Sequence, residues 1–458
     1  MKHTPRHDQR PSKRIALLTP YNGGNLGDGA IQHAVIYQIS QRVSRVEFQG
    51  ITLDPQDTSK RHQIGSFPLT ALSLPYYAIS QPGQATKKVP KARPTEGPGA
   101  EAPSWLERLK AKFKQHSLVG RVVKPLYFLI QRLCTSLRLV RADCIHTARA
   151  FANMSTLDLL VVSGGGQLDD YWGGPWGHPY ALLKWTLLAK IKGVKVAFMS
   201  VGTCAMESRL SRIFIHTALR LADYRSYRDP VSKRLLANLA VTQNDPVVPD
   251  LAFSFPKEAY MVRANVVNVR PVIGISPIAY LSPAYWPKQQ PGVYERYLAI
   301  LSSFIAVLDE QGYRVMLFSS ASPDRSVIHE LQEKVAREVV GCRGEPLVEV
   351  MPNDVESLLA CLSQTDVVVA SRLHGILLSH MLHKPVLAIS YDRKVDTHMQ
   401  DMNQCEYCID IHTFTLELLI ATFADLSAKR EHVESMIRLT MTDYQVLLEQ
   451  QFDQVITL

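Results

Sequence analysis

The chain alternates between short, almost wholly apolar runs and longer stretches whose apolar positions recur every three or four residues. Runs at 14–19, 157–163 and 194–201, and again at 272–276, 314–319, 347–350, 367–370 and 386–389, are rich in Val, Ile and Leu without polar alternation. That pattern predicts strands buried on both faces, as in a parallel sheet; 224–227 reads as a further short strand. Between them, 30–42, 180–192, 209–222, 293–310, 324–340, 355–362, 376–382, 414–426 and 431–452 have helical spacing. Strand, helix, strand in repetition predicts an α/β fold in two domains, 14–255 and 271–428. A linker at 256–270 and a C-terminal helix at 429–458, packing back across the first domain, complete the plan.

Two segments break the alternation. Residues 1–13 read as a disordered basic tail. Residues 54–146 read as an insertion into the first domain, with a Pro-, Gly-, Lys- and Glu-rich disordered linker at 81–103 and basic helices at 104–146. Residues 105–141 carry nine Lys or Arg against one acid, Glu107, interleaved with apolar side chains. Two readings stand: peripheral contact with an anionic membrane surface, or a helical pair packing its apolar side on the domain.

Composition narrows the partners. The 458 residues are 46% apolar and carry a net charge of +9, which favours anionic ligands. No nucleic-acid reader motif accompanies that charge, so no nucleic acid is expected. Seven cysteines, an odd number scattered through a long chain, argue against a disulfide scaffold and for a reducing compartment. No apolar stretch is long enough to span a bilayer. A cytoplasmic protein is expected, peripheral to the inner face of the membrane if 105–141 binds lipid.

The chemistry concentrates at strand-to-helix turns. In 20–29, PYNGGNLGDG, Asn25, Gly27 and Asp28 follow the first strand; the spacing matches neither the dinucleotide fingerprint nor a P-loop. After 157–163 come Gly164, Gly165 and a loop with Asp169, Asp170, Tyr171, Trp172, Trp176 and His178, a mixture of rings and carboxylates suited to a sugar. Arg228 sits at the turn after 224–227. In 367–394 a strand runs directly into Ser371, Arg372, Leu373, His374 and Gly375, where a guanidinium, an imidazole and a helix N-terminus suit a compact, multiply charged anion. Asp169, Asp170 and His178 fit no familiar metal spacing, and His374, His380 and His383 do not share one helical face. No metal is expected.

These turns, in this order, resemble the polysaccharide pyruvyl transferase family. The matching pieces are GNLGDGAI (24–31), SGGGQLDD (163–170), SVGT (200–203), YRDPVS (227–232), PDLAF (249–253), SRLHG (371–375) and YDRKV (391–395). The resemblance implies two Rossmann-like domains facing across a cleft, as in GT-B glycosyltransferases. It also implies phosphoenolpyruvate as co-substrate and a sugar or lipid-linked oligosaccharide as acceptor, with no further cofactor. Arg228, Arg372, Leu373, His374 and Gly375 would hold the donor, with Lys394 adding charge. His374 is the expected proton donor and Asp28 or Asp170 the base. Asn25, Gly27, Asp28, Gly164, Gly165, Asp170 and His178 would line the cleft on the acceptor side. Two alternatives remain: a GT-B glycosyltransferase using a nucleotide sugar, and a non-enzymatic protein assembling polysaccharide at the membrane surface.

Overall fold

A computed structural model describes residues 13–21, 23–71, 117–171, 173–237, 244–256, 270–283, 285–286, 290–338 and 348–458, with side chains inside helix Ser117–Met154 from 134 onward. The expected tail up to residue 12, the linker at 81–103, nearly all of the linker at 256–270, and Trp172 lie outside the described residues.

The first domain runs β1 (Lys13–Leu18), α1 (Leu26–Arg42), β2 (Val46–Thr52), α2 (Pro55–His62), β3 (Gly65–Pro68), α3 (Ser117–Met154), β4 (Leu159–Ser163), α4 (His178–Ile191), β5 (Lys195–Val201), α5 (Arg209–Leu221), β6 (Tyr224–Tyr227) and α6 (Pro230–Ala237). The second runs β7 (Val272–Ser276), α7 (Pro291–Glu310), β8 (Arg314–Phe318), α8 (Arg325–Glu338), β9 (Val348–Val350), α9 (Val355–Ser363), β10 (Val367–Ala370), α10 (Leu373–Met381), β11 (Val386–Ser390), α11 (Arg393–Asp401), β12 (Cys408–Asp410) and α12 (Leu416–Ala428), and α13 (Arg430–Ile456) follows.

The two sheets repeat one plan. Their orders are β3-β2-β1-β4-β5-β6 and β12-β11-β10-β7-β8-β9, parallel throughout. Counted within each domain, both are the doubly wound order 3-2-1-4-5-6. Alternating residues of β1 and β4 feed two cores. Ala16, Leu18, Leu160 and Val162 pack under α4 and α5. Ile15, Leu17, Leu159 and Val161 join a core that continues through Phe253 into the second domain.

Three expected boundaries shift. Lys13 already belongs to β1 and donates Nζ to the Ile456 carbonyl at 2.5 Å. Residues 54–68 are not inserted material: α2 and β3 complete the first sheet, β3 pairing with β2 from Gln49↔Gly65 to Thr52↔Pro68. From Ser117 on, the basic segment is a single helix that runs eight residues past 146, to Met154.

The domains are stitched together beside the turns that carry the chemistry. Leu26 donates its N–H to the Ser320 carbonyl (3.1 Å) and Ser322 to the Gly24 carbonyl (2.8 Å), making a one-bridge antiparallel contact at Asn25↔Ala321. The helix α13 crosses back onto the first domain. Asp453 pairs with Arg42 (2.7 Å), and buried Gln451 donates to Ser200 Oγ (3.1 Å) and accepts from Tyr224 Oη (3.3 Å) and Ser226 Oγ.

Candidate active site

In a doubly wound sheet, ligands bind past the carboxyl ends of the two central strands, where the winding reverses. In the first sheet those strands are β1 and β4, followed by Asn25–Asp28 and by Gly164–Asp170. In the second they are β7 and β10, followed by the Tyr280–Trp286 loop and by Arg372–Gly375. Three of these turns are ones whose residue types stand out in the sequence; the Tyr280–Trp286 loop is the addition, and the fourth turn singled out there, at Arg228, follows β6.

Arg372 caps α10 in an extended conformation with no side-chain cap hydrogen bond. Its fork closes on Asp324, Nε to Oδ2 and Nη2 to Oδ1 at 2.8 Å, and Asp324 is fully buried and also accepts the Ala279 N–H (2.9 Å). Burial opposes the Arg372 charge; the Asp324 carboxylate outweighs it and holds the guanidinium above its ordinary range. Around the start of α10 three buried polar atoms have no hydrogen-bond partner among the described residues: His374 Nε2, Ser276 Oγ and Ser320 Oγ. A Cβ on Gly375 would stand 3.6 Å from Ser320 Oγ and 3.7 Å from Ser276 Oγ. Unsatisfied buried donors at a helix N-terminus mark a place for a ligand's oxygens.

Arg228, from the first domain, lines a recess with Leu373, Lys394, Asp250 and His398, and its charge, like that of Lys394, is felt by His374. Its Nη1 donates to Asp250 Oδ2 (3.4 Å), and Nη2 lies so close over Gly202 that a Cβ there would approach to 2.8 Å. Burial disfavours its charge, yet Asp250 and Asp229 hold it raised. Lys394, in the first turn of α11, is raised against burial by Tyr391 and Asp392. His374 is pushed down by burial, with Asp28 and Asp250 opposing. Its imidazole is therefore neutral near pH 7.

On the first-domain side, Asn25 caps α1, accepting the Gly27 N–H at 3.1 Å and donating Nδ2 to Asp28 Oδ2 at 2.9 Å. Burial raises the Asp28 carboxyl, with His374 opposing. The helix α1 begins at Leu26, inside the glycine-rich turn, not at residue 30. The Asn25 cap starts it there, and Gly27 lets it pass: a Cβ at 27 would stand 1.9 Å from His374 Cγ, so the backbone of one domain packs on the imidazole of the other. Gly27→Ala is expected to cost about 1–3 kcal/mol of stability by overpacking and to remove turnover. Gly29→Ala, whose Cβ would meet nothing nearer than 3.6 Å, is expected to keep both, as thermal melts beside turnover assays would check.

Gly164 and Gly165 adopt φ of +55° and +71°, the left-handed region that favours glycine. The Gly165 α-carbon approaches Asp28, with Oδ1 3.7 Å from a built Cβ. Of the two adjacent acids, Asp170 is committed to the fold, accepting the Ser208 N–H at 3.0 Å. Asp169 instead has a carboxyl raised to about 6 by burial, in the fields of Lys394 and Asp392. Its Oδ1 accepts the Tyr171 N–H at 3.2 Å. His178 is not brought to the cleft. It is 4% exposed, its Nε2 pairs with Gln167 Oε1 (3.0 Å), and burial pushes it to about 3.

Aromatic rings frame the opening. Tyr280 lies edge-on to Trp286 (5.1 Å between centroids) and beside Tyr391 (5.3 Å), and Lys394 Nζ is 5.2 Å from the Tyr391 ring centre. Tyr171, from the first domain, is 58% exposed and feels the charges of Lys394 and Asp169. Behind the recess, His398 and His380 share a hydrogen bond (2.9 Å), and burial holds both rings neutral. Among the described residues no group of three or more His, Cys, Asp or Glu is placed to hold a metal ion.

Residues 25–393 match the family model for polysaccharide pyruvyl transferase. No curated protein matches the chain. Among solved structures, a putative UDP-N-acetylglucosamine 2-epimerase from Listeria monocytogenes superposes with a TM-score of 0.53 at 10% identity, covering 97% of this chain and 98% of that one. A glycosyltransferase from Rickettsia africae gives 0.51 at 10%, covering 98% and 99%. These likenesses establish the fold, two Rossmann-like domains in the GT-B arrangement.

Proposed function

The chain belongs to the polysaccharide pyruvyl transferase family, and from that premise we propose that it transfers the enolpyruvyl carbons of phosphoenolpyruvate to two hydroxyls of one sugar, forming a pyruvate ketal and releasing phosphate. The observation that carries the donor is the set of unsatisfied buried donors at the start of α10, flanked by Arg372, Arg228 and Lys394. Phosphoenolpyruvate presents a carboxylate and a phosphate on one carbon. Two guanidinium forks and a helix N-terminus can engage both, and a fork makes two-point contacts that an ammonium cannot.

The chemistry follows from the neighbours. One sugar hydroxyl adds to C2 of the enol while the methylene takes a proton and becomes the methyl. The C2–O bond to phosphate then breaks, and the second hydroxyl adds to C2. Two C–O bonds form and one breaks; of the two hydroxyl protons, one is balanced by the new methyl proton and the other leaves with phosphate. His374 delivers the methylene proton, and Asp28, raised by burial and adjoining His374 electrostatically, takes a hydroxyl proton. Asp169 is the second base. The cations stabilise the leaving phosphate, so no metal is needed for charge. Tyr171, Tyr280, Trp286 and Tyr391 offer ring faces to the acceptor sugar.

Calorimetric titration of the protein with phosphoenolpyruvate tests the donor. Saturable heat with phosphoenolpyruvate and none with UDP-sugars is expected. The reverse result would assign the cleft to a nucleotide-sugar transferase.

A further inference from the structure

The outer side of the first domain carries an apolar surface that the site does not use. The helix α4 lies between α3 and α5. Tyr180 Oη and Lys184 Nζ both reach Asp143 of α3 (2.5 and 2.6 Å), Lys192 stands 3.8 Å over the Phe151 ring, and Trp176 meets Phe214 of α5 edge-on at 5.6 Å. One side of α4, with Ala181, Leu182, Trp185 and Ala189, is buried against the sheet. The opposite side is apolar as well: Leu183, Leu187 and Ile191 recur at i, i+4, i+8, and Ile191 is 68% exposed. Its two lysines are drawn aside, Lys184 onto Asp143 and Lys190 onto Asp223, which leaves the exposed side mainly apolar, a surface that is ordinarily covered. Its neighbours extend the stripe outward with Leu137 and Val140 on α3, Ile213 on α5 and Trp176 at the cleft-side end, each 58–63% exposed.

Charge identifies the cover. The helices α3, α4 and α5 contain six, two and three Lys or Arg against a single acid, Asp143, which is taken up by Lys184 and Tyr180, while Asp223, just past α5, is taken up by Lys190 and Lys195. Arg138, Arg141 and Arg149 on α3 and Arg209, Arg212 and Arg220 on α5 are all exposed among the apolar groups. Apolar side chains interleaved with unopposed cations are what an anionic lipid surface binds. A second copy of the chain would bring the same positive charge to the contact. No helix among the described residues is long and apolar enough to cross a membrane, so the contact is along the surface.

We propose that the outer face of α3, α4 and α5 docks the protein on an anionic bilayer. The face ends at the cleft: the loop that carries Asp169 leads through Trp176 into α4, and Asp170 ties it to Ser208 at the start of α5. If the acceptor of the proposed reaction is lipid-linked, its sugar would enter from that edge. The docking itself does not depend on the reaction.

The test is co-sedimentation of the full chain with phosphatidylcholine vesicles, with and without phosphatidylglycerol. Binding to the anionic vesicles, weakening as salt is raised, is expected. The double variant Ile191→Glu, Ile213→Glu should lose that binding at least about tenfold while its calorimetric titration with phosphoenolpyruvate and its melting temperature stay as in wild type. Arg209→Gln with Arg212→Gln should weaken binding to anionic vesicles only. Absence of wild-type binding overturns the proposal. So does undiminished binding by the Glu variant, which would move the contact to the basic residues before 134. A dimer in sedimentation equilibrium that the Glu variant dissolves would give the face to a second copy instead.

Discussion

Replacing Arg372 by alanine is expected to abolish saturable phosphoenolpyruvate binding. The guanidinium is nearly buried, and in the unliganded protein its fork is spent on Asp324. Removing one partner of a buried, hydrogen-bonded charge pair costs about 2–5 kcal/mol, which in binding is roughly thirtyfold to several-thousandfold in Kd. Alanine also strands Asp324, wholly buried, with the Ala279 amide its one remaining side-chain partner among the described residues, so the variant should melt earlier. Two companions separate binding from folding. Arg372→Lys keeps a cation near Asp324 but lacks the fork, so it should fold and still bind the donor poorly. Asp324→Asn keeps Arg372 but loosens it, so the donor should bind with a smaller penalty. Equal, wild-type affinity in Arg372→Ala and Arg372→Lys by calorimetry would remove this residue from the donor site.

The fold was legible wherever burial on both faces left an unbroken apolar run. The strands β4, β7, β10 and β11 stand within two residues of the limits read from the sequence, because each lies inside a sheet with neighbours on both sides. The edge was not legible. β3 is only Gly-Ser-Phe-Pro, with no apolar run, and exists because β2 offers it a pairing edge; without that partner the segment counted as insertion. Glycine misled in the same way. Gly27 and Gly29 read as turn residues, yet both stand in the first turn of α1, where Gly27 is required by an imidazole from the other domain. A contact between residues 27 and 374 leaves no local trace.

The site was legible as turns but not as pairs. Motif order brings out Arg228, Arg372, His374 and Lys394, and all four follow carboxyl ends of strands, with Arg228 and Lys394 lining one recess beside Leu373. Separating Asp169 from Asp170 takes the folded chain: one carboxylate accepts the neighbouring Tyr171 N–H and the other the Ser208 N–H, 38 residues on. In the sequence Asp324 reads only as a helix start. The signal was available, since it follows the carboxyl end of β8, the side of the sheet on which every other site residue lies.

His374→Gln is expected to leave donor binding within about threefold and to lower turnover by about 100- to 10,000-fold, the range for losing a positioned general acid. Glutamine can still donate a hydrogen bond where Nε2 now has no protein partner among the described residues, but it has no proton to give at neutral pH. The pH dependence follows from the burial that depresses this imidazole. A lowered pKa means that the free enzyme carries the active imidazolium only toward acid, so kcat/KM should fall as pH rises through that pKa. Bound donor anions favour the charged ring and raise its pKa, so the same fall in kcat should lie at higher pH. In His374→Gln the basic limb of both profiles should vanish, because the titrating group is gone. If the variant instead loses donor binding while turnover at saturation stays high, His374 is a phosphate ligand, and the methylene proton comes from another group of the cleft.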